Sequence, residues 1–299
     1  MIPAPLTSGS RVALVSPSGA VDPDLLAGAA GTLASWGLEP VVAPHAAGRF
    51  HRFAGTDNER LADLQAALND PSLNAIWCAR GGYGLCRIVD RLRLDEFKQH
   101  PKWVIGFSDI TCLHGALGAS GYGSLHAIMC KQLALQPQGE AAKSARRALF
   151  DGNISLRAEA CPHNLQGMVT GPLAGGNLTV LTSLIGSPCA QIPDGALLLL
   201  EDIGEAPYRI DRMARQLRLS GLLNRIGGVV AGQFTDTGQD DSFQGPYGIL
   251  REILQDYGIP LACGFPVGHT DRNLAVALGA EATLTVTPDG ASLIQKLYS

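Results

Sequence analysis

Within its first 120 residues the chain repeats one plan four times: a short apolar run, a turn rich in glycine, proline or polar residues, and a stretch with apolar residues at helical spacing. Residues 11–16 (RVALVS) lead to such a stretch at 25–36, residues 39–43 to one at 58–68, residues 74–79 (NAIWCA) to one at 85–92, and residues 103–106 (WVIG) to one at 110–119. Strands that alternate with helices are joined by crossovers, so the pattern predicts a mostly parallel sheet covered on both faces. Ligands of such sheets sit beyond the carboxyl ends of the strands. The loops beginning at Ser16, Arg80 and Ser108 are thereby expected to share one crevice.

Residues 136–153 are polar and alanine-rich and predict a connecting helix. Beyond them, short strand candidates at 156–160, 166–173, 196–201, 228–233 and 284–287 are separated by Gly, Pro, Asn and Asp, with helices expected at 178–184, 207–220 and 247–257. The expected fold class is α/β: an N-terminal mostly parallel sheet flanked by helices over residues 1–150, and a smaller β-rich α+β domain over 151–299. A chain of 299 residues, 46% of them hydrophobic, can fill two ordinary cores.

The formal charge of −4, with no basic block, argues against nucleic acid as a partner, because phosphate affinity needs clustered positive charge. Residues 1–10 lack the charged and apolar regions of a signal peptide, and no apolar stretch is long enough to span a bilayer. The seven cysteines are scattered and odd in number, without CxxC spacing, which fits reduced thiols and a cytoplasmic location. HExxH and EF-hand patterns are absent, so neither a metal nor an organic cofactor is expected.

The sharpest local feature is VIGFSDIT at 104–111, where a strand runs through Gly106 into Ser108 and a helix follows at once. That is the setting of a nucleophile elbow, in which the serine projects from a tight turn and helix N–H groups face the same space. The competing reading is that Ser108 or Asp109 caps the helix. RGGYG at 80–84 places adjacent glycines after a strand, suited to a tight turn or a close backbone approach, without GxGxxG spacing or a Walker lysine. His269 stands in a glycine-rich loop, GFPVGHTDRN, and Glu201 at the end of an apolar strand. Either is positioned for polar chemistry, and solvent exposure explains Glu201 equally well. His114 has helical phase and is expected to be packed or exposed, while His126 is placed to line the crevice.

Several separated motifs, in order, resemble the LD-carboxypeptidase family of serine peptidases: VALVSPSG, GTD with ER near 55–60, ARGGYG with Arg87, IGFSDIT, GGNLTVLTSLIGSP, LLLLEDIGEAPYRIDRM and GFPVGH. The resemblance covers nearly the whole chain. It implies that Ser108 is the nucleophile, His269 the general base and Glu201 the carboxylate that orients it. It further implies an oxyanion hole from the N–H groups of Asp109 and Gly82, a cytoplasmic murein tetrapeptide as substrate, free or linked to sugar or nucleotide, and a homodimer. Arg80, Asn177 and Arg212 are candidate substrate contacts, with Asn177 equally suited to holding its own turn. The chain departs from the family where a histidine is usually followed by glycine, since Ala127 follows His126; subsite shape is the property this puts in question.

Two alternatives remain at this point. A hydrolase of peptidyl-nucleotide antibiotics, like the microcin immunity members of the same family, calls for an aromatic platform, for which Tyr208, Phe234, Phe243 and Tyr247 are available. A non-catalytic small-ligand-binding protein is the alternative from another class. A dehydrogenase is disfavoured by the absence of a dinucleotide fingerprint.

Overall fold

A computed structural model describes residues 1–298. The first half comprises β1 (Arg11–Val15), α1 (Pro23–Ser35), β2 (Glu39–Val42), α2 (Asp57–Asn69), β3 (Ala75–Cys78), α3 (Asp95–Gln99), β4 (Trp103–Gly106), α4 (Thr111–Ala119) and β5 (Ser124–His126). Because the runs of β1, β3 and β4 are buried on both faces, they take central places in the sheet; β2, exposed or half-exposed along its length, takes an edge. All neighbours among these five strands are parallel.

After α5 (Cys130–Leu135) and α6 (Glu140–Asp151) come β6 (Asn153–Glu159), β7 (Gly167–Asn177), α7 (Leu178–Ser183), β8 (Leu197–Ile203), α8 (Pro207–Leu219), β9 (Gly228–Thr235), α9 (Gly245–Leu254), β10 (Leu261–Ala262), β11 (Val276–Leu278), β12 (Glu281–Thr287) and β13 (Gly290–Lys296). Seven of these strands form a second sheet in the order β10-β9-β8-β7-β12-β13-β6. Its β10-β9-β8-β7 portion is parallel and carries α7, α8 and α9; its other portion is antiparallel, with the alternating burial of a one-sided sheet.

β11 belongs to neither the second sheet nor the local chain around it. It returns to pair antiparallel with β5, Val276 opposite His126, and completes a six-stranded first sheet in the order β11-β5-β4-β3-β1-β2. One continuous apolar core accordingly holds Trp77, Ile105 and Leu125 of the first sheet together with Leu173, Leu199 and Leu284 of the second. The α/β class, with an N-terminal mostly parallel sheet and a second β-rich half, follows the expectation from sequence; the recruitment of β11 from beyond residue 150 into the first sheet was not expected.

Two local expectations are corrected. The helix expected at 85–92 is a pair of 3-10 turns, Leu85–Arg87 and Val89–Arg91. Ile88 between them has φ −132°, outside the helical region, and the N–H of Leu85 is given to a carboxylate rather than to a preceding turn. His126, expected to line an open crevice, is fully buried. No helix among the described residues is long and apolar enough to cross a membrane.

Candidate active site

β4 delivers the chain to Ser108 through an extended Phe107, and Ser108 then turns back with φ +65°, a left-handed conformation unusual for a residue with a side chain. A 3-10 turn over Ser108–Ile110 passes directly into α4, so Ser108 stands on the sharp strand-to-helix turn expected of an elbow. The RGGYG loop lies against it. A Cβ on Gly81 would come within 2.8 Å of Ser108 Cβ, 3.0 Å of its Oγ and 3.3 Å of the Asp109 nitrogen, so only glycine permits this approach. Gly82 follows with φ +99°, another conformation that side chains resist.

Asp109, 2% exposed, ties this corner together through its side chain. Its Oδ2 accepts from Ser18 Oγ at 2.6 Å and from the Leu85 N–H at 2.9 Å, joining the loops after β1 and β3 to the elbow. Arg60, 1% exposed, donates to the carbonyls of Gly84 at 2.9 Å and of Pro17. Asp57 in turn accepts from Arg60 and from Arg87 Nη2, the latter at 2.8 Å. The GTD, ER and Arg87 elements thus act as a brace behind the glycine loop. Sequence reasoning left Ser18 and Arg60 without this role; the signal was a helix opening in the capping pair Thr56–Glu59 with an arginine on the following position.

The second half contributes a hydrogen-bonded pair, a buried carboxylate and a half-buried imidazole. Glu201, fully buried near the end of β8, accepts from His269 Nδ1 at 2.7 Å. Burial pushes the Glu201 carboxyl above its ordinary value, and the hydrogen bond with His269 opposes that rise. Gly268 has φ +121°, and a Cβ there would meet Glu201 Oε2 at 2.8 Å, so the glycine lets the histidine loop close over the carboxylate. The loop is fixed by the Gly268 N–H to Asn273 Oδ1 at 2.9 Å and the Gln233 N–H to the Val267 carbonyl at 2.8 Å. With Nδ1–H committed to a carboxylate, a neutral imidazole keeps a lone pair on Nε2 to take a proton.

Phe107 brings the halves together. Its ring meets that of His269 edge-on, centroids 4.9 Å apart, one residue before Ser108. No hydrogen bond joins Ser108 to His269 among the described residues; such catalytic bonds commonly tighten only with substrate in place. His126 lies 5.8 Å from the Phe107 ring, and neither of its nitrogens has a partner.

The remaining candidates differ in position. Arg80, exposed, adjoins Gly81 and donates to the Ala20 carbonyl. Asn177 is buried and uses its side chain internally: Oδ1 accepts from the Val180 N–H at 3.1 Å, and Nδ2 donates to Asp202 Oδ1 at 3.0 Å. Arg212, exposed on α8, lies with its guanidinium 5.4 Å from the centroid of the Tyr208 ring. Among the described residues, no three His, Cys, Asp or Glu side chains converge as a metal site.

Residues 12–127 match the profile of the LD-carboxypeptidase N-terminal domain, and residues 170–284 that of the LD-carboxypeptidase C-terminal domain. The chain is 33% identical to the "Probable murein peptide carboxypeptidase" of Bacillus subtilis, over 94% of this chain and 91% of the relative. It is 31% identical to the murein tetrapeptide carboxypeptidase of Pseudomonas aeruginosa, over 92% of each. The muramoyltetrapeptide carboxypeptidase of Oxalobacter formigenes superposes with a TM-score of 0.87 at 28% identity, covering 96% of this chain and 98% of the other. MccF in complex with glutamyl sulfamoyl guanosine shares the fold, with a TM-score of 0.87 at 20% identity and 99% of each chain covered. Matched in both halves and along nearly all of its length, the chain belongs to the LD-carboxypeptidase family.

Proposed function

We propose that this chain is a serine LD-carboxypeptidase that cleaves the amide bond between an L-centred diamino acid and the terminal D-alanine of murein tetrapeptides, free or carried on sugar or nucleotide. The observation that carries the reading is the 2.7 Å hydrogen bond between buried Glu201 and His269, whose ring packs on Phe107, the residue before a serine held at φ +65° on a strand-to-helix turn. In this reading Ser108 is the nucleophile, His269 the general base and Glu201 its orienting carboxylate.

His269 Nε2 takes the Ser108 proton as Oγ attacks the carbonyl of the L-centre. The N–H groups of Asp109 and Gly82 receive the developing oxyanion, a role for which the close packing of Gly81 against Ser108 is the supporting contact. The imidazolium then gives its proton to the leaving amine of D-alanine, and water, deprotonated by the same ring, releases the acyl group. Arg80, exposed on the glycine loop, is assigned to the free carboxylate, whereas Asn177, occupied by Val180 and Asp202, is assigned to holding the turn beside Glu201. Arg212 is assigned to the outer part of the substrate.

The proposed boundary falls near residue 150, between the two matched segments. A cytoplasmic enzyme recycling wall peptides is the setting we infer. A homodimer is supported by Met168 and Ile294, 75% and 46% exposed, which the strand register places on the same face of the antiparallel sheet. The peptidyl-nucleotide alternative is weakened because Phe234, Phe243 and Tyr247 pack against a buried apolar cluster that includes Leu198 of β8, Ile210 of α8 and Ile249 of α9, leaving Tyr208 as the exposed member of the four candidate aromatics.

Mass spectrometry of tetrapeptides ending in D-alanine or L-alanine, with wild type and Ser108→Ala, tests the reading. Loss of the D-residue alone, abolished in the variant, is expected; cleavage that survives in Ser108→Ala removes the nucleophile assignment.

A further inference from the structure

Cys86 and Cys112 are remote in sequence and meet behind the elbow, where their thiols are hydrogen-bonded to each other. Cys112 stands in the first turn of α4 and is fully buried. Cys86 lies in the 3-10 turn Leu85–Arg87, at the end of the glycine loop, and is partly exposed. Both pack into one apolar cluster with Leu85, Phe107 and Ile110. Cys189 packs on Gly115, one turn further along α4, and its thiol is hydrogen-bonded to Ser187.

The two thiols of the pair are not equivalent. The hydrogen bond from Cys112 holds the Cys86 thiol below its ordinary value, against burial and the neighbouring Asp109 carboxylate, while the same bond and burial push Cys112 up. Cys86 is thus the partly exposed sulfur with thiolate character, and Cys112 a protonated thiol already in contact with it. An accessible thiolate beside a second thiol is the arrangement that oxidants single out.

We propose that Cys86 and Cys112 form a peroxide-reactive pair, Cys86 reacting first and Cys112 resolving, whose disulfide turns the active site down. The Cys86 thiolate attacks one peroxide oxygen and the O–O bond breaks; the leaving hydroxide recovers the proton that Cys86 gave up and becomes water, and Cys86 is left as a sulfenic acid. Cys112 sulfur then attacks Cys86 sulfur, the S–O bond breaks, and the hydroxyl departs as water with the Cys112 proton. Two thiols are oxidised to one disulfide and one peroxide is reduced to two waters. Closing the bond brings the sulfurs from hydrogen-bond contact to about 2.0 Å, so the turn that carries Cys86 must draw toward α4. Leu85, its neighbour, gives its N–H to Asp109 Oδ2 at 2.9 Å, and Asp109 adjoins Ser108. The movement therefore acts on the elbow and on the glycine loop packed against it, and its effect on turnover rests on the catalytic reading above.

The test treats the full chain with hydrogen peroxide and maps its cysteines by mass spectrometry after alkylation, with turnover of the D-alanine tetrapeptide followed in parallel. A Cys86–Cys112 disulfide is expected in wild type, with a fall in turnover of about tenfold or more that a dithiol reductant reverses. Cys86→Ser should form no such bond and keep its turnover in peroxide, while Cys112→Ala should stop at a Cys86 sulfenic acid that dimedone labels. Survival of both thiols in peroxide overturns the proposal, as does oxidation confined to Cys189 or to the hydrogen-bonded Cys161 and Cys263. Full turnover with the disulfide formed, or a loss in Cys86→Ser equal to that of wild type, overturns it too. If untreated wild type cleaves no tetrapeptide, the catalytic reading fails separately, and the cysteine map still decides the thiol pair.

Discussion

Asp109 Oδ2 accepts the backbone N–H of Leu85 at 2.9 Å, so the residue beside the serine also anchors the far end of the RGGYG loop. The same oxygen takes the Ser18 hydroxyl at 2.6 Å. Asp109→Ala leaves two buried donors unpaired and should lower stability by about 2–4 kcal/mol. Urea unfolding monitored by circular dichroism checks this, and a midpoint unchanged from wild type would show that water replaces the carboxylate.

Gly81→Ala places a methyl group 2.8 Å from Ser108 Cβ. The loop must withdraw or the serine must rotate, and a displacement of this kind should reduce kcat by roughly 100-fold. Steady-state kinetics on the D-alanine tetrapeptide, with a melting curve confirming the fold, reads the effect; wild-type turnover would show that the loop does not set the serine.

Glu201 links activity and stability with opposite signs. Its folded pKa lies above the ordinary 4.5, so the folded state holds a proton that the unfolded state releases in the window between the two values. The stabilising contribution is full below about 4.5 and is lost as pH rises through the folded value. Glu201→Gln keeps an acceptor for His269 Nδ1–H and removes the buried charge. It should melt at or above the wild-type temperature at pH 7, with the advantage shrinking toward pH 4.5, while turnover falls by about 10³–10⁴-fold. Paired calorimetry and kinetics across that range measure both; a variant that melts well below wild type at pH 7 refutes the stability half.

His114 and His126 work in the other direction. Burial lowers His114 from 6.5 to about 4 and His126 well below its ordinary value, so the unfolded chain binds protons that the folded chain refuses. Stability from these rings is present above about 6.5 and is lost as pH falls through the window beneath it. His126→Phe removes a ring with two unpartnered buried nitrogens and should flatten the acid side of the melting profile between pH 6.5 and 4.5. Melting temperatures taken in steps of pH decide the matter, a slope equal to that of wild type counting against it.

The parallel half of the fold was legible because its strands are continuous apolar runs between turn residues, and the elbow because Gly106, Ser108 and the following helix lie within a few positions. The turn at 85–91 was misread since apolar spacing reports burial and not the hydrogen-bond partner. Leu85 gives its N–H to Asp109, a choice fixed by residues remote in sequence. β11 and β13 escaped notice for a related reason. Val276–Leu278 is too short to show a period, and it is defined as a strand only by β5, some 150 positions earlier. The Glu201–His269 contact spans 68 positions and rests on the glycine at 268, and no local pattern announces it. Resemblance to a family supplied that pairing where the spacing of residues could not.

The return of β11 also sets a timetable for synthesis. When His126 leaves the ribosome, β5 is the last strand of an unfinished sheet, and its outer row of N–H and C=O groups waits for Val276–Leu278. At roughly 5–20 residues per second, that edge stays bare for about 8–30 s, long enough to recruit another chain or a chaperone. A fragment ending short of residue 276 would hold the serine and its loop yet keep this edge open permanently, and should collect in the insoluble fraction; the nucleophile half is finished only by a strand made long after its own.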